Sequence, residues 1–318
     1  HDEYWSAEQF NKFETARNNG VNIAFFSGNT LHWKTRWEDN FQTLVCYKEG
    51  TQGIYSCGSK CDPVTNVWTG LWRDGCLPAY GTHDGCRPEG PFLAQMGWTE
   101  STGSIKVPDT YKNLRFWKNT SIAALGSGQT ATLPLGTLGA EWDQEQFVEL
   151  LPARRIPLSF TTFTGLNHRM YLYRHDNSGA LVFSAGTMQW CWGLDDNHDN
   201  PSLPPSLAMQ QATVNLLFDM GATAETLQQF VVAPSASTDV LPPSTTIVNP
   251  IHTSTVPGSP ITISGTAADN GGGAVGGVEV STDNGATWHR ASGLENWTYT
   301  FSPTGYGTIV VKARAWDD

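Results

Sequence analysis

Apolar and polar positions first fall into a regular pattern between residues 7 and 29. Phe10, Phe13 and Ala16, the last flanked by Arg17, repeat at helical spacing and predict a helix from Ala7 to Asn19. Ser6 is a favourable N-cap, and Glu8 and Gln9 place anionic and polar groups over the free N–H groups of the first turn. Asn19-Gly20 stops the helix with residues that tolerate left-handed backbone angles. The mostly apolar run Val21 to Phe26 then predicts a short strand covered on both faces, and Ser27-Gly28-Asn29 turns the chain at its end. Ligands in open α/β sheets bind at that edge of the strands. His1 to Ser6 and Ser27 to Asn29 should therefore face one crevice. The chain begins inside this motif, and a strand is expected to precede His1 in a longer protein.

Further along, Thr43 to Lys48 reads as a strand and residues 50–90 as loop. Short strands are expected at Ile105 to Val107, Leu114 to Trp117, Ala131 to Leu133, Ser159 to Thr162, Met170 to Arg174 and Ala180 to Ser184. Asp176-Asn177-Ser178-Gly179 supplies a hairpin turn between the last two. Ala208 to Met220 again has helical spacing and ends at Gly221, and residues 223–230 read as a second short helix. This order predicts an α/β domain with a β-rich insertion over residues 1–233. Residues 234–246, with Pro242-Pro243, read as a linker. Residues 247–318 show only short alternating strands, with Asn284-Gly285 as a hairpin turn, and predict a small β-sandwich. The stretches GVEVSTDNGATWHRA and VKARAWDD resemble the Ig-like appendages of secreted enzymes and of molybdenum oxidoreductases.

With 19 Lys and Arg against 30 Asp and Glu, the net charge of −11 and the lack of basic clusters argue against a nucleic-acid partner. No apolar run has the length of a membrane span. The charged fraction is low and Gly, Ser, Thr, Asn and Trp are abundant, which suits a secreted or cell-surface protein. Four of the six cysteines, Cys57, Cys61, Cys76 and Cys86, crowd one Gly- and Pro-rich loop. Their spacing does not repeat the paired C-x₂-C pattern of zinc sites, and two disulfides stapling the loop are the preferred reading. Cys46 and Cys191 either pair or stay as buried thiols. Asn119 and Asn296 begin glycosylation sequons.

HDEYWS and ARNNGVNIAFFSGNTLHWKTRWE, followed in order by TGLWRD, RPEG, LRFWKNTS, LGAEWD and SAGTMQWCWGLD, resemble the N,N-dimethylformamidase large-subunit family, in particular its secreted members, over about residues 1–232. The resemblance implies a fold similar to class I glutamine amidotransferases and hydrolysis of a linear amide at a mononuclear Fe(III). In that family two tyrosinates and one glutamate hold the iron. Tyr4 of HDEYWS matches one tyrosinate and Glu89 of RPEG the glutamate. The second tyrosine is expected upstream of His1 or from a partner, in a homo-oligomer or an associated N-terminal segment.

Hard anionic oxygens suit Fe(III), and such an ion acidifies bound water. Glu3 is the candidate general base, with His1 and Asp2 beside it. Asn119 and Glu141 are candidates to orient substrate. The plain alternatives are a packing role for Tyr4 and, for Glu89, an ion pair with Arg73 or Arg87. No Gly-x-Ser-x-Gly or Gly-x-Cys-x-Gly nucleophile turn is present. Two functional readings follow. One is a secreted amide hydrolase in which Tyr4 and Glu89 meet at the sheet edge. The other is a non-catalytic surface protein that keeps the scaffold and uses its Ig-like domain for assembly or adhesion.

Overall fold

A computed structural model describes residues 2–49, 61–73, 87–199, 203–251 and 253–318. The chain divides into two units that interleave in sequence. The first comprises residues 1–105, 133–152 and 160–204, and the second residues 106–132, 153–159 and 205–318.

In the first unit, the opening segment folds locally as its pattern dictates. Ser6 accepts a hydrogen bond from the Gln9 amide at 3.2 Å and caps the helix Ala7–Asn18. Gly20 takes a positive φ of 89° after it. Phe10 and Ala7 turn inward onto Trp5, Phe25, Trp72 and Phe92, the centre of an aromatic core. Strand alternation at Tyr4–Ser6 buries Trp5 and leaves Tyr4 38% exposed on the other face.

The expected α/β sheet is not formed. Tyr4–Ser6 and Ile23–Phe25 flank the helix but belong to different sheets. Tyr4–Ser6 runs parallel to Trp33–Glu38, which pairs antiparallel with Thr43–Val45. Ile23–Phe25 runs parallel to Leu181–Ser184, which forms the Tyr171–Arg174 hairpin through Gly179. A doubly wound fold requires successive parallel strands in one sheet, joined by helical crossovers. Here the only helix of more than one turn described in the first unit joins two sheets. Short strands and single 3₁₀ turns build the rest. The glutamine amidotransferase-like architecture is therefore replaced by a predominantly β structure with few helices.

In the second unit the helix Leu207–Asp219 packs on the turn Arg115–Trp117, which the sequence pattern had suggested as a strand. Asn215 closes the contact by donating to the carbonyls of Phe116 and Lys118 at 3.2 and 2.8 Å. Trp117 is fully buried, and its indole N–H donates to the Leu158 carbonyl at 2.8 Å. Residues 223–230 contain no helix. The polar and exposed run Thr223 to Gln229 offers no apolar stripe strong enough to hold one.

Beyond residue 243 two antiparallel sheets form. One joins Ser244–Asn249, Ile261–Ala268, Asn296–Phe301 and Ser292–Gly293. The other joins His289–Arg290, Val275–Ser281 and Lys312–Asp317. The first strand thus starts at Ser244, inside the stretch expected to be linker. Asn284 and Gly285 both take positive φ, as a type I′ hairpin turn requires. Gly265 lies where an added Cβ would come within 2.2 Å of the buried Trp297 ring and 2.3 Å of the Thr246 carbonyl. Gly265→Ala should destabilise this β structure by about 1–3 kcal/mol through overpacking. Thermal unfolding read by near-ultraviolet circular dichroism would detect it, and an unchanged melting temperature would contradict the packing.

Candidate active site

Residues 2–4 lie along residues 27–33. The Leu31 amide donates to the Asp2 carbonyl at 2.8 Å, and the His32 and Trp33 amides donate to the Glu3 carbonyl at 3.0 and 2.8 Å. The Asp2 amide donates to Ser27 Oγ at 3.3 Å. The two segments expected to share a crevice thus do meet, although not as neighbouring strands of one sheet. Gly28 is required at this junction, because a Cβ would stand 2.7 Å from the Glu141 carbonyl and 3.0 Å from Thr187 Cα. Asn29 takes a left-handed φ of 50°, which an Asn tolerates. Its amide donates to Asp143 Oδ1 at 3.0 Å and its Nδ2 to Glu141 Oε2 at 3.1 Å.

Around this junction the polar side chains form one cluster. The Lys48 ammonium lies over the Tyr4 and Trp33 rings, 5.1 and 5.2 Å from their centroids. Glu3 Oε1 accepts from the Trp33 indole at 2.7 Å. Burial pushes the Glu3 carboxyl up, against the lowering effect of that indole N–H; the neighbouring Glu141 raises it further.

Glu89 sits at the start of the single helical turn Gly90–Leu93 and is 2% exposed. It forms an ion pair with the buried Arg73 guanidinium, one of the two partners suggested by sequence. The guanidinium meets Glu89 Oε1. Burial pushes its carboxyl up, with Arg73 opposing. Asp143 is also buried. Its carboxyl is pushed up to about 8 by burial, against the Asn29 N–H, with Glu89 and Glu141 adding to the rise. Arg73 reaches back to His32, whose Nδ1 lies 3.1 Å from the guanidinium.

Glu89 pairs with Arg73, and Tyr4 lies beside Glu3 on the strand that pairs with Trp33–Glu38. Asn119 belongs to the second unit, where it is exposed with a φ of 62°. His1 lies outside the described residues, as do Cys57, Cys76 and Cys86 and with them the expected disulfide pairing. Cys46 and Cys191 are free thiols, the first half-buried and the second exposed. Of the abundant tryptophans, Trp33, Trp68, Trp72, Trp142 and Trp190 are buried, which assigns them to packing.

Sequence reasoning missed Asp143 and His32, and named Arg73 only as an ion-pair partner for Glu89. Asp143 ends the quoted LGAEWD stretch and Arg73 falls within TGLWRD, but only the fold shows that Asp143 is buried and that Arg73 also faces His32. No helix among the described residues is long and apolar enough to cross a membrane.

No curated protein sequence matches the chain. Residues 243–313 match the family model of a bacterial Ig domain. Residues 1–201, which carry the whole cluster, match the model described as N,N-dimethylformamidase beta subunit-like, C-terminal. The chain therefore belongs to the N,N-dimethylformamidase beta-subunit-like family and ends in a bacterial Ig domain.

Proposed function

We propose that this protein is an exported hydrolase of small linear amides that uses one ferric ion held by Tyr4, Glu89 and a further tyrosine. The observation that carries the reading is the buried Glu89 carboxylate within the segment matched by the family model. A buried carboxylate is costly unless a cation or donor meets it. The donor chemistry also fits, since phenolate and carboxylate oxygens are hard ligands suited to Fe(III). Bound there, the ion would supply Lewis acidity to the amide carbonyl and to water.

The protein's own groups would handle the protons. Glu3, its carboxyl raised by burial, is suited to accept a proton from the attacking water. Asp143 holds a proton near neutral pH and is suited to deliver it to the departing amine. Asn29 fixes both Glu141 and Asp143 through the bonds already described. The four cysteines Cys57, Cys61, Cys76 and Cys86, if paired, would agree with export, because disulfides persist in oxidising compartments.

One observation favours the non-catalytic reading instead. Arg73 already supplies Glu89 with a counter-charge, so the fold can hold this carboxylate without a metal. Incubation of iron-loaded protein with formamide, N-methylformamide and N,N-dimethylformamide separates the two. Amine release that chelation abolishes, and that Glu89→Gln reduces by roughly 100-fold, is the expected result. Iron-loaded protein that releases no amine from any of these amides would favour the scaffold reading.

A further inference from the structure

His32 is 4% exposed and walled edge-to-face by Trp33 and Trp98, with ring centroids 4.7 and 6.1 Å away. Its Nδ1 lies 3.1 Å from Arg73 Nη2. A guanidinium only donates, so Nδ1 must be the acceptor and the single ring proton sits on Nε2. Burial, followed by the positive charges of Arg73 and Lys48, holds the imidazole well below the ordinary histidine range, and the ring is neutral. Burial thereby keeps His32 neutral, and Arg73 fixes its tautomer.

That arrangement leaves Nε2–H as a buried donor without a partner. Buried donors are almost always satisfied, and one held in place by a paired arginine calls for a ligand acceptor. The position is also suitable. Arg73 joins His32 to Glu89, and the His32 amide donates to the carbonyl of Glu3, the neighbour of Tyr4, at 3.0 Å. His32 is thus linked to Glu89 through Arg73 and to the Tyr4 strand through its backbone. A fixed neutral N–H is what a carbonyl oxygen needs as negative charge develops on it during attack, and a neutral imidazole can fill this role.

We propose that His32 donates its Nε2–H to the oxygen of the substrate amide. The assignment rests on the amide-hydrolase reading and adds to it the group that polarises the carbonyl from the protein side. His32 does not accept or transfer a proton in this role. It offers a hydrogen bond that strengthens as the carbonyl oxygen becomes an oxyanion.

Two substitutions separate this role from mere support of Arg73. The Asn side chain reaches only the Nδ1 position, so His32→Asn keeps an acceptor for Arg73 and deletes the outer donor. The Gln amide reaches the Nε2 position, so His32→Gln restores a donor there and loses the acceptor. With N-methylformamide as probe, His32→Asn should lower kcat/KM by roughly 100-fold at an unchanged melting temperature. His32→Gln should retain more turnover than His32→Asn. A role confined to holding Arg73 predicts the reverse order.

Nitrogen-15 NMR of the metal-free wild type provides a readout independent of turnover and of how the variants fold. It should show Nε2 protonated and Nδ1 bare, and added N-methylformamide should shift the Nε2–H signal. A proton on Nδ1, an unshifted Nε2–H, or His32→Asn with wild-type kcat/KM would overturn the assignment while leaving the hydrolase intact. A wild type that binds no iron and cleaves no amide would instead remove the hydrolase reading, and His32 would fall with it.

Discussion

Arg73→Met should destabilise the first unit by about 3–5 kcal/mol, the usual cost of removing one partner from a buried ion pair. Glu89 is fully enclosed, and the Arg73 guanidinium supplies the counter-charge to its carboxylate. The loss should grow with pH. In acid the orphaned carboxyl protonates and its burial becomes tolerable, whereas near pH 8 the unpaired charge or its forced neutralisation bears the full penalty. The double variant Arg73→Met with Glu89→Met should recover most of the stability, because well-packed apolar replacements of a buried pair are often neutral or better. Urea unfolding of the metal-free proteins, followed by tryptophan fluorescence, would measure this. A single-variant loss below about 1 kcal/mol would show that the Arg73–Glu89 pair does not organise the cluster.

Asp143→Asn should change how stability depends on pH. In the folded chain the Asp143 carboxyl is pushed up to about 8 from an ordinary 3.8, burial being the main cause. Below the ordinary value both folded and unfolded states carry the proton. Between the two values only the folded state does, so metal-free wild type should lose stability as pH rises through that window and level off above it. At about 1.4 kcal/mol per pH unit, the loss amounts to several kcal/mol. Asn cannot ionise, yet its carbonyl can still accept from the Asn29 amide, now 3.0 Å from Asp143 Oδ1. The variant should therefore match wild type near pH 4 and exceed it near pH 8. Parallel slopes for the two proteins between pH 5 and pH 8 would contradict the buried, protonated state.

The sequence was readable wherever short-range rules decide the outcome. The Ser6 cap, the helix after it, the hairpin through Gly179 and the Asn284-Gly285 turn all form where their residues require. The sheet was not readable, because one helix between two apolar strands does not say whether those strands pair with each other. Tyr4–Ser6 finds Trp33–Glu38, and Ile23–Phe25 finds Leu181–Ser184 more than 150 residues later. Those pairings are settled by the aromatic core, in which Trp5, Phe10, Phe25 and Trp72 must all be covered. Leu114 to Trp117 misled in a related way. Its apolar run suits a buried strand, but Trp117 is buried from a 3₁₀ turn by the helix and loop around it.

The candidate site shows the same division. Tyr4, Glu89, Glu3 and Glu141 were marked by the stretches that carry the family resemblance. His32, Arg73 and Asp143 lie in those same stretches, but their importance depends on charge and burial that only the folded chain creates. Arg73 was visible as a partner for Glu89, yet nothing in the sequence showed that the same guanidinium would also face His32.

The central claim is that Tyr4 serves as a tyrosinate ligand of iron in a family scaffold that also presents Glu89. The most direct test is the visible absorption of the purified protein after loading with Fe(III), together with its iron content. The account predicts about one iron per chain and a broad tyrosinate-to-iron charge-transfer band. Tyr4→Phe should lose or shift that band and bind the ion far more weakly, since affinity follows the number and charge of the ligands. A protein that binds no iron, or one whose coloured iron complex is unchanged in Tyr4→Phe, would contradict it.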